Sequence, residues 1–342
     1  MTEPPKRRGR ATGRSTLADV ARLAEVSVNT ASRALRGTRA VDAELVARVQ
    51  AAAKQLRYVP DPAARALASA RSSHVAVLIP LLTNALFVEL LDAVQRKLTP
   101  AGYQTLIGVT HYRPEEEEEL LLSYLAHRPA GLLVTGVDRS DAARRMIADS
   151  GVPCVHLMET VRQPGVYSVG LSQQAAAHAL TTHLLQRGCR RIAYIAGQLD
   201  PRVMQRRQGY EQALREAGCY DSRLEVLDPS PTSMALGGRL FEELLRRQPD
   251  VDAMFFCNDD LAQGGLLAAL RLQVPVPQRV AIVGFNDLSG SELMLPPLTT
   301  IRTPRWQIGT QAASMLLDLM HGQPVAQPAL DLGFELVVRG SA

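Results

Sequence analysis

No stretch of this chain reaches about 18 consecutive apolar residues, so no helix of it is expected to span a membrane. The basic N-terminus lacks the apolar run of a secretory signal, which points to the cytoplasm. Only four cysteines occur in 342 residues: Cys154, Cys189, Cys219 and Cys257. They are widely spaced, with no C-x-x-C, so reduced structural thiols are expected and not disulfides or a metal site. His178 and His183 are five apart and do not share a helix face as H-x-x-x-H ligands would. There is no G-x-x-x-x-G-K-[ST], no G-x-G-x-x-G after a strand and no G-x-S-x-G. A nucleotide-using enzyme or a serine hydrolase would need one of these, so no enzyme, no cofactor and no metal are expected. C-terminal leucine heptads are missing too, which argues for a dimer over a tetramer.

Charge is unevenly distributed. Residues 1–73 hold 14 Lys and Arg against 6 Asp and Glu, whereas the remainder holds 24 against 28. A basic module for a polyanion joined to a near-neutral body is the expectation. Residues 1–14 include K-R-R-G-R-A-T-G-R, too polar and Gly-rich to fold alone. They read as a disordered basic arm that adds phosphate affinity or as a solubilising tail.

Residues 16–36 describe two short helices and a tight turn. Leu17, Val20, Ala21 and Ala24 form one apolar face, and Thr16 with Asp19 has the spacing of a helix start. Ser27 can cap the second helix. Its Thr30, Ala31, Ala34 and Leu35 point one way, and Val28, Asn29, Ser32, Arg33 and Arg36 the other. An ordinary hairpin with a solvated face would explain the polarity. Turn spacing and polar face together fit a helix-turn-helix made to enter the DNA major groove. There Asn can read adenine and Arg can read guanine. A third helix, capped by Asp42 and turning Leu45, Val46, Val49, Ala53 and Leu56 inward, completes an all-α head over residues 15–60. Residues 61–73 form a hinge or linker whose Ala-rich part is too short to hold a helix unaided.

From His74 apolar strands alternate with helices in two series, which predicts parallel sheets covered on both faces. Two similar subdomains are expected, with ligand in the crevice at the strand carboxyl ends. The first would comprise about residues 74–171 and 304–322, the second about 172–303 and 323–342. Glu115–Glu119 opens a helix, where negative charge is favoured, and reads as a solvated face.

T-L-A-D-V-A-R-L-A-E-V-S-V-N-T-A-S-R-A-L, then Y-V-P-D and A-A-R-A-L-A, resembles the lactose-repressor (LacI) family of bacterial transcription regulators. R-G-C-R-R-I-A-Y-I-A-G, C-N-D-D-L-A, V-A-I-V-G-F-N-D and L-T-T-I-R-T-P resemble its body, so the likeness runs from Ser15 over nearly the whole chain. P-L-L-T-N-A-L-F, V-H-L-M-E and L-D-L-G-F-E-L are most similar to the gluconate-operon repressors of that family. The resemblance implies a homodimer on double-stranded, pseudo-palindromic operator DNA and a body like the periplasmic sugar-binding proteins. It places Val28, Asn29 and Arg33 at major-groove positions, Ser32 on the same face, and Leu67 at a minor-groove wedge. Val28 suits a thymine methyl. Glu25 stands where the family has Gly in the turn, a position where Gly relieves a left-handed backbone. In the body the resemblance assigns the effector to Phe87, Arg206, Asn258 and Asp259, with Gln173 and Asn286 at two further family positions, and Arg202 is a candidate nearby in sequence. Two departures, Asn286 for an acidic residue and Ser172-Gln173 for Asp-Asn, make the pocket less acidic. With two arginines it suits an anion such as a sugar acid.

The expected function is a repressor of sugar-acid (gluconate-type) catabolism genes, released from its operator by the acid. A response to 2-ketogluconate, 6-phosphogluconate or a neutral sugar, or action as a co-repressor, stays open. A periplasmic-type solute-binding protein shares the body but needs a signal peptide and no basic head.

Overall fold

The computed structural model describes residues 15–35, 42–59 and 72–342. The chain divides into two compact units, one ending at Arg71 and one beginning at Ser72.

In the first unit, α1 (Leu17–Leu23), α2 (Val28–Leu35) and α3 (Ala43–Gln55) pack around Val20, Ala21, Ala24, Ala31, Ala34, Val49 and Ala52. The small size of these residues lets three short helices approach closely. Thr16 and Asp19 close a reciprocal capping box at the start of α1. α1 ends as the pattern around Glu25 requires: the Val26 N–H donates to Ala21 O across a residue at φ 53°. That is the left-handed helix stop usually given to Gly. Thr30 N–H donates to Ser27 Oγ at 3.1 Å, so Ser27 does start α2. Asp42 caps α3 by accepting from Glu44 N.

The second unit holds two six-stranded sheets. The first contains β1 (His74–Ile79), β2 (Gln104–Val109), β3 (Gly131–Thr135), β4 (Cys154–Met158) and β5 (Tyr167–Gly170). Its helices are α4 (Ala85–Leu98), α5 (Pro114–Ala126) and α6 (Asp141–Ser150). The second sheet contains β6 (Ile192–Gly197), β7 (Glu225–Asp228), β8 (Ala253–Phe256), β9 (Ala281–Asn286) and β10 (Thr299–Arg302). With it go α7 (Gln173–Gln186), α8 (Pro201–Glu216), α9 (Met234–Arg247) and α10 (Asp259–Arg271). α11 (Arg305–Met320) then returns to pack on α4 and β4 of the first lobe. The orders β5-β4-β3-β1-β2 and β10-β9-β8-β6-β7 match each other, all parallel. Each has a switch point beside its first strand, where a crevice opens.

The expected assignment of 323–342 to the second lobe is corrected here. Ala329–Asp331 (β11) pairs parallel with β5 in the first sheet, and only Glu335–Val337 (β12) joins the second, antiparallel to β10. The turn at Leu332–Phe334 breaks what reads in sequence as one strand, and Gly333 takes φ 66° there. The acidic run also does more than face water. Glu117 pairs with the buried Arg139 at 2.9 Å, and Glu118 accepts from Ser140 Oγ at 2.5 Å, so two of the five carboxylates anchor the segment after β3.

Candidate functional site

Two surfaces carry the expected chemistry. On the head, Val28 is 47% exposed, Asn29 and Arg33 are exposed and Ser32 is half-buried, all on α2 opposite Ala31 and Ala34. Packing of the apolar face thus fixes which side chains face outward. Leu67 and Arg36 lie outside the described residues.

In the body, a cleft lies between the two sheets' carboxyl ends. Asn84, Leu86, Phe87, Tyr112 and Met158 line it from the first lobe. Gln198, Asp200, Arg202, Val203, Arg206, Thr232, Asn258 and Asn286 line it from the second. Three of these are helix caps: Asn84 accepts from Leu86 N, Asp200 from Arg202 N and Asn258 from Leu261 N. The N-termini of α4, α8 and α10 therefore meet at the cleft, an arrangement that favours negative charge.

The two arginines differ in their surroundings. Arg202 is held by carboxylates: Asp200 at 3.1 Å, Glu159 at 3.6 Å and Asp138 at 3.9 Å. Burial works against its charge, but Asp200 and Glu159 outweigh burial and raise its pKa above the ordinary arginine value. Glu159 is itself pushed up by burial, against the pull of Arg202, and also accepts from Gln205 Nε2 at 2.6 Å. Glu159 and Asp138 belong to the first lobe, so this cluster bridges the cleft. Gly136 makes room for it. With φ 75° it sits where a Cβ would lie 2.5 Å from Arg202 Nη1 and 2.9 Å from Glu159 Oε2.

Arg206 has no such company. Among the described residues no carboxylate lies within 4 Å of it; its Nε donates to Gln173 Oε1 at 2.9 Å and its Nη1 to Cys257 O at 2.6 Å. The guanidinium stacks 3.9 Å from the Phe285 ring centre. Burial pushes its pKa down from the ordinary value, only partly offset by Asp200, which lies beyond contact distance. An unpaired buried cation is costly unless an anion joins it.

Two sequence-based assignments are corrected. Asp259 does not line the cleft: its carboxylate turns inward and accepts from Leu288 N, Ser291 Oγ and Thr300 Oγ1. Asn258 is the extended cap residue and Asp259 the first helical one, so their side chains leave the backbone in different directions. Gln173 stands behind Arg206, its other amide end donating to Met158 O at 3.1 Å, so both ends are engaged within the protein. Phe87, Arg202, Arg206, Asn258 and Asn286 do come together. Sequence reasoning passed over Asn84, Tyr112, Glu159, Gln198, Asp200 and Thr232. Asn84 precedes an apolar helix start and Asp200 precedes a proline at the first helical position, both cap signals legible in the sequence. Tyr112 follows His111 in a left-handed turn, and burial pushes its phenol up to about 12. Among the described residues no cluster of His, Cys, Asp or Glu is arranged to hold a metal, and no helix is long and apolar enough to cross a membrane.

A helix-turn-helix head joined to a two-lobed, ligand-cleft body defines the class: a DNA-binding transcription regulator with a periplasmic-binding-protein-like core. Family models agree on both parts. Residues 16–61 match the bacterial regulatory proteins of the lacI family, and residues 181–342 match a periplasmic binding protein-like domain. The HTH-type transcriptional regulator GntR of Pseudomonas aeruginosa is 55% identical over 332 residues, 97% of each chain. The regulator of that name from Escherichia coli K12 is 36% identical, over 96% of this chain and 98% of its own. Among solved structures, transcription regulator GntR from Chromobacterium violaceum superposes with a TM-score of 0.77 at 46% identity, covering 78% of this chain and 98% of that one. The lac repressor dimer bound to operator and the anti-inducer ONPF gives 0.85 at 25% identity, covering 96% and 99%. The chain belongs to the LacI family of bacterial transcription regulators.

Proposed function

We propose that this regulator is a cytoplasmic homodimer that represses gluconate-type catabolism genes and leaves a palindromic operator when a sugar acid fills the cleft. The observation that carries the ligand class is Arg206: a buried guanidinium with no carboxylate within 4 Å among the described residues, beside a second arginine already neutralised. Arg206 takes the carboxylate, which it can grip with two parallel N–H donors. Asn258, Asn286, Asn84 and Thr232 offer the hydroxyl contacts, and Phe87 with Val203 covers the carbon chain. The GntR regulators that match nearly the whole chain support the gluconate-type reading. The lac repressor complex with operator supports the dimer and the docking of α2. Ligand shifts the lobes only as far as it binds one arrangement better than the other. For a catabolic regulator that arrangement is the one with operator released.

Calorimetric titration of the full-length protein with gluconate, 2-ketogluconate, 6-phosphogluconate and glucose tests the reading. An acid at about 100 times its Kd should also stabilise the fold by about 2.7 kcal/mol. Binding of glucose in preference to every acid would overturn it. Titrating gluconate with and without operator fixes the sign, because coupling must be reciprocal.

A further inference from the structure

Arg305 opens α11 where the chain crosses back from the second lobe to the first. Its side chain is only 13% exposed. Nε donates to Glu89 Oε2 on α4 at 2.7 Å. Nη1 donates to the main-chain carbonyl of Asn286, and Nη2 to that of Asp287 at 3.3 Å. One guanidinium therefore joins α4, which brings Phe87 to the cleft, to the backbone of a residue that lines the cleft from the opposite lobe.

Asn286 needs holding. Its φ of 113° is a value that residues with a side chain rarely adopt. Its side-chain oxygen accepts from Thr303 Oγ1 at 3.2 Å, which fixes the amide plane. Arg305 grips the carbonyl on the other side of the same residue. An exposed Arg–Glu pair would contribute little. Here each terminal nitrogen of the arginine donates to a carbonyl, so the Glu89 bond sets where those two donors stand. A planar fork can do this and a lysine ammonium cannot.

We propose that Arg305 is a positioning residue for the effector cleft: it holds Asn286 in its ligand-facing conformation and makes that hold depend on α4 through Glu89. The conformation of a second-lobe cleft residue is thereby conditional on the placement of a first-lobe helix. Only the ligand measurement below rests on the sugar-acid reading.

Hydrogen exchange on the ligand-free, full-length protein tests the tie directly. Glu89→Gln and Arg305→Gln should each speed exchange in peptides spanning residues 286–290, on the order of tenfold for one weakened charge-assisted bond. Arg305→Lys should fall between wild type and Arg305→Gln. Unchanged exchange there in Glu89→Gln overturns the proposal. In gluconate titrations, Arg305→Gln and Asn286→Ala should each weaken binding, and the double variant should bind no worse than Asn286→Ala. Fully additive losses would show that Arg305 does not act through Asn286. If wild type binds no sugar acid, the functional reading fails and the exchange result alone decides the positioning role.

Discussion

Gln173 and Arg206 stand 2.9 Å apart, the glutamine oxygen accepting the arginine Nε–H. The first residue of α7 thus aims a side chain of α8 at the cleft, and its other amide end reaches Met158 of the first lobe. Among the described residues, Arg206 is the cleft arginine with no carboxylate within 4 Å, and its orientation is set from outside the ligand's reach.

Arg206→Gln should weaken sugar-acid binding and keep operator binding, giving a repressor that needs far more acid for induction. The lost charge-assisted pair costs about 1.5–3 kcal/mol, or roughly ten- to hundredfold in affinity. Operator retention assays with increasing gluconate check it. A normal response in this variant would move the carboxylate site elsewhere.

Arg33→Ala should cost about 1–3 kcal/mol of operator affinity and relax base preference at one position per half-site. Binding-site selection with the variant distinguishes base contact from phosphate contact. A phosphate contact would weaken all sequences alike and leave the preference intact.

Glu25→Gly should stabilise the head by about 1 kcal/mol, because Glu25 holds a left-handed φ of 53° that costs an L-residue about that much. Exchange protection of amides in α1 and α2 is the measurement. Reduced protection would mean that the Glu25 side chain contributes more than its backbone costs.

Asp259 should destabilise the fold above pH 6 relative to pH 4. Burial raises its pKa from 3.8 to about 6, only partly offset by three donors, so the folded state binds the proton more tightly than the unfolded state. Stability from this group is therefore lost as pH rises from about 4 to about 6, by about 3 kcal/mol. Urea unfolding of wild type and Asp259→Asn at pH 4.5 and 7 isolates the effect. The stability difference, wild type minus variant, should be larger at pH 4.5, and a pH-independent difference would refute it.

Element type was legible wherever an unbroken apolar run lay between polar segments, as in Val75–Ile79 or Ala253–Phe256. Helix starts were less so. α4, α7, α8, α9 and α10 all begin earlier than the apolar pattern suggests, at caps Asn84, Ser172, Asp200, Ser233 and Asn258. The first turn of a helix facing a polar cleft has no apolar stripe to reveal it. Tyr167–Gly170 and Thr299–Arg302 are strands of four residues, too short to show a period. The basic pair in the cleft was visible as residue types. Which arginine is neutralised was not, because Glu159 and Asp138 lie more than forty residues before Arg202 and meet it only across the lobes.

The interlacing of the last strands bears on synthesis. α11 and β11 complete the first lobe, although most of that lobe is made before residue 171. A ribosome must therefore deliver residue 331 before either sheet-bearing lobe can close its outer edge, whereas the head's three helices are finished by residue 56. Domains generally fold in order of emergence. This regulator should present a folded DNA-reading head while its sensing body is still an open sheet awaiting its final strand.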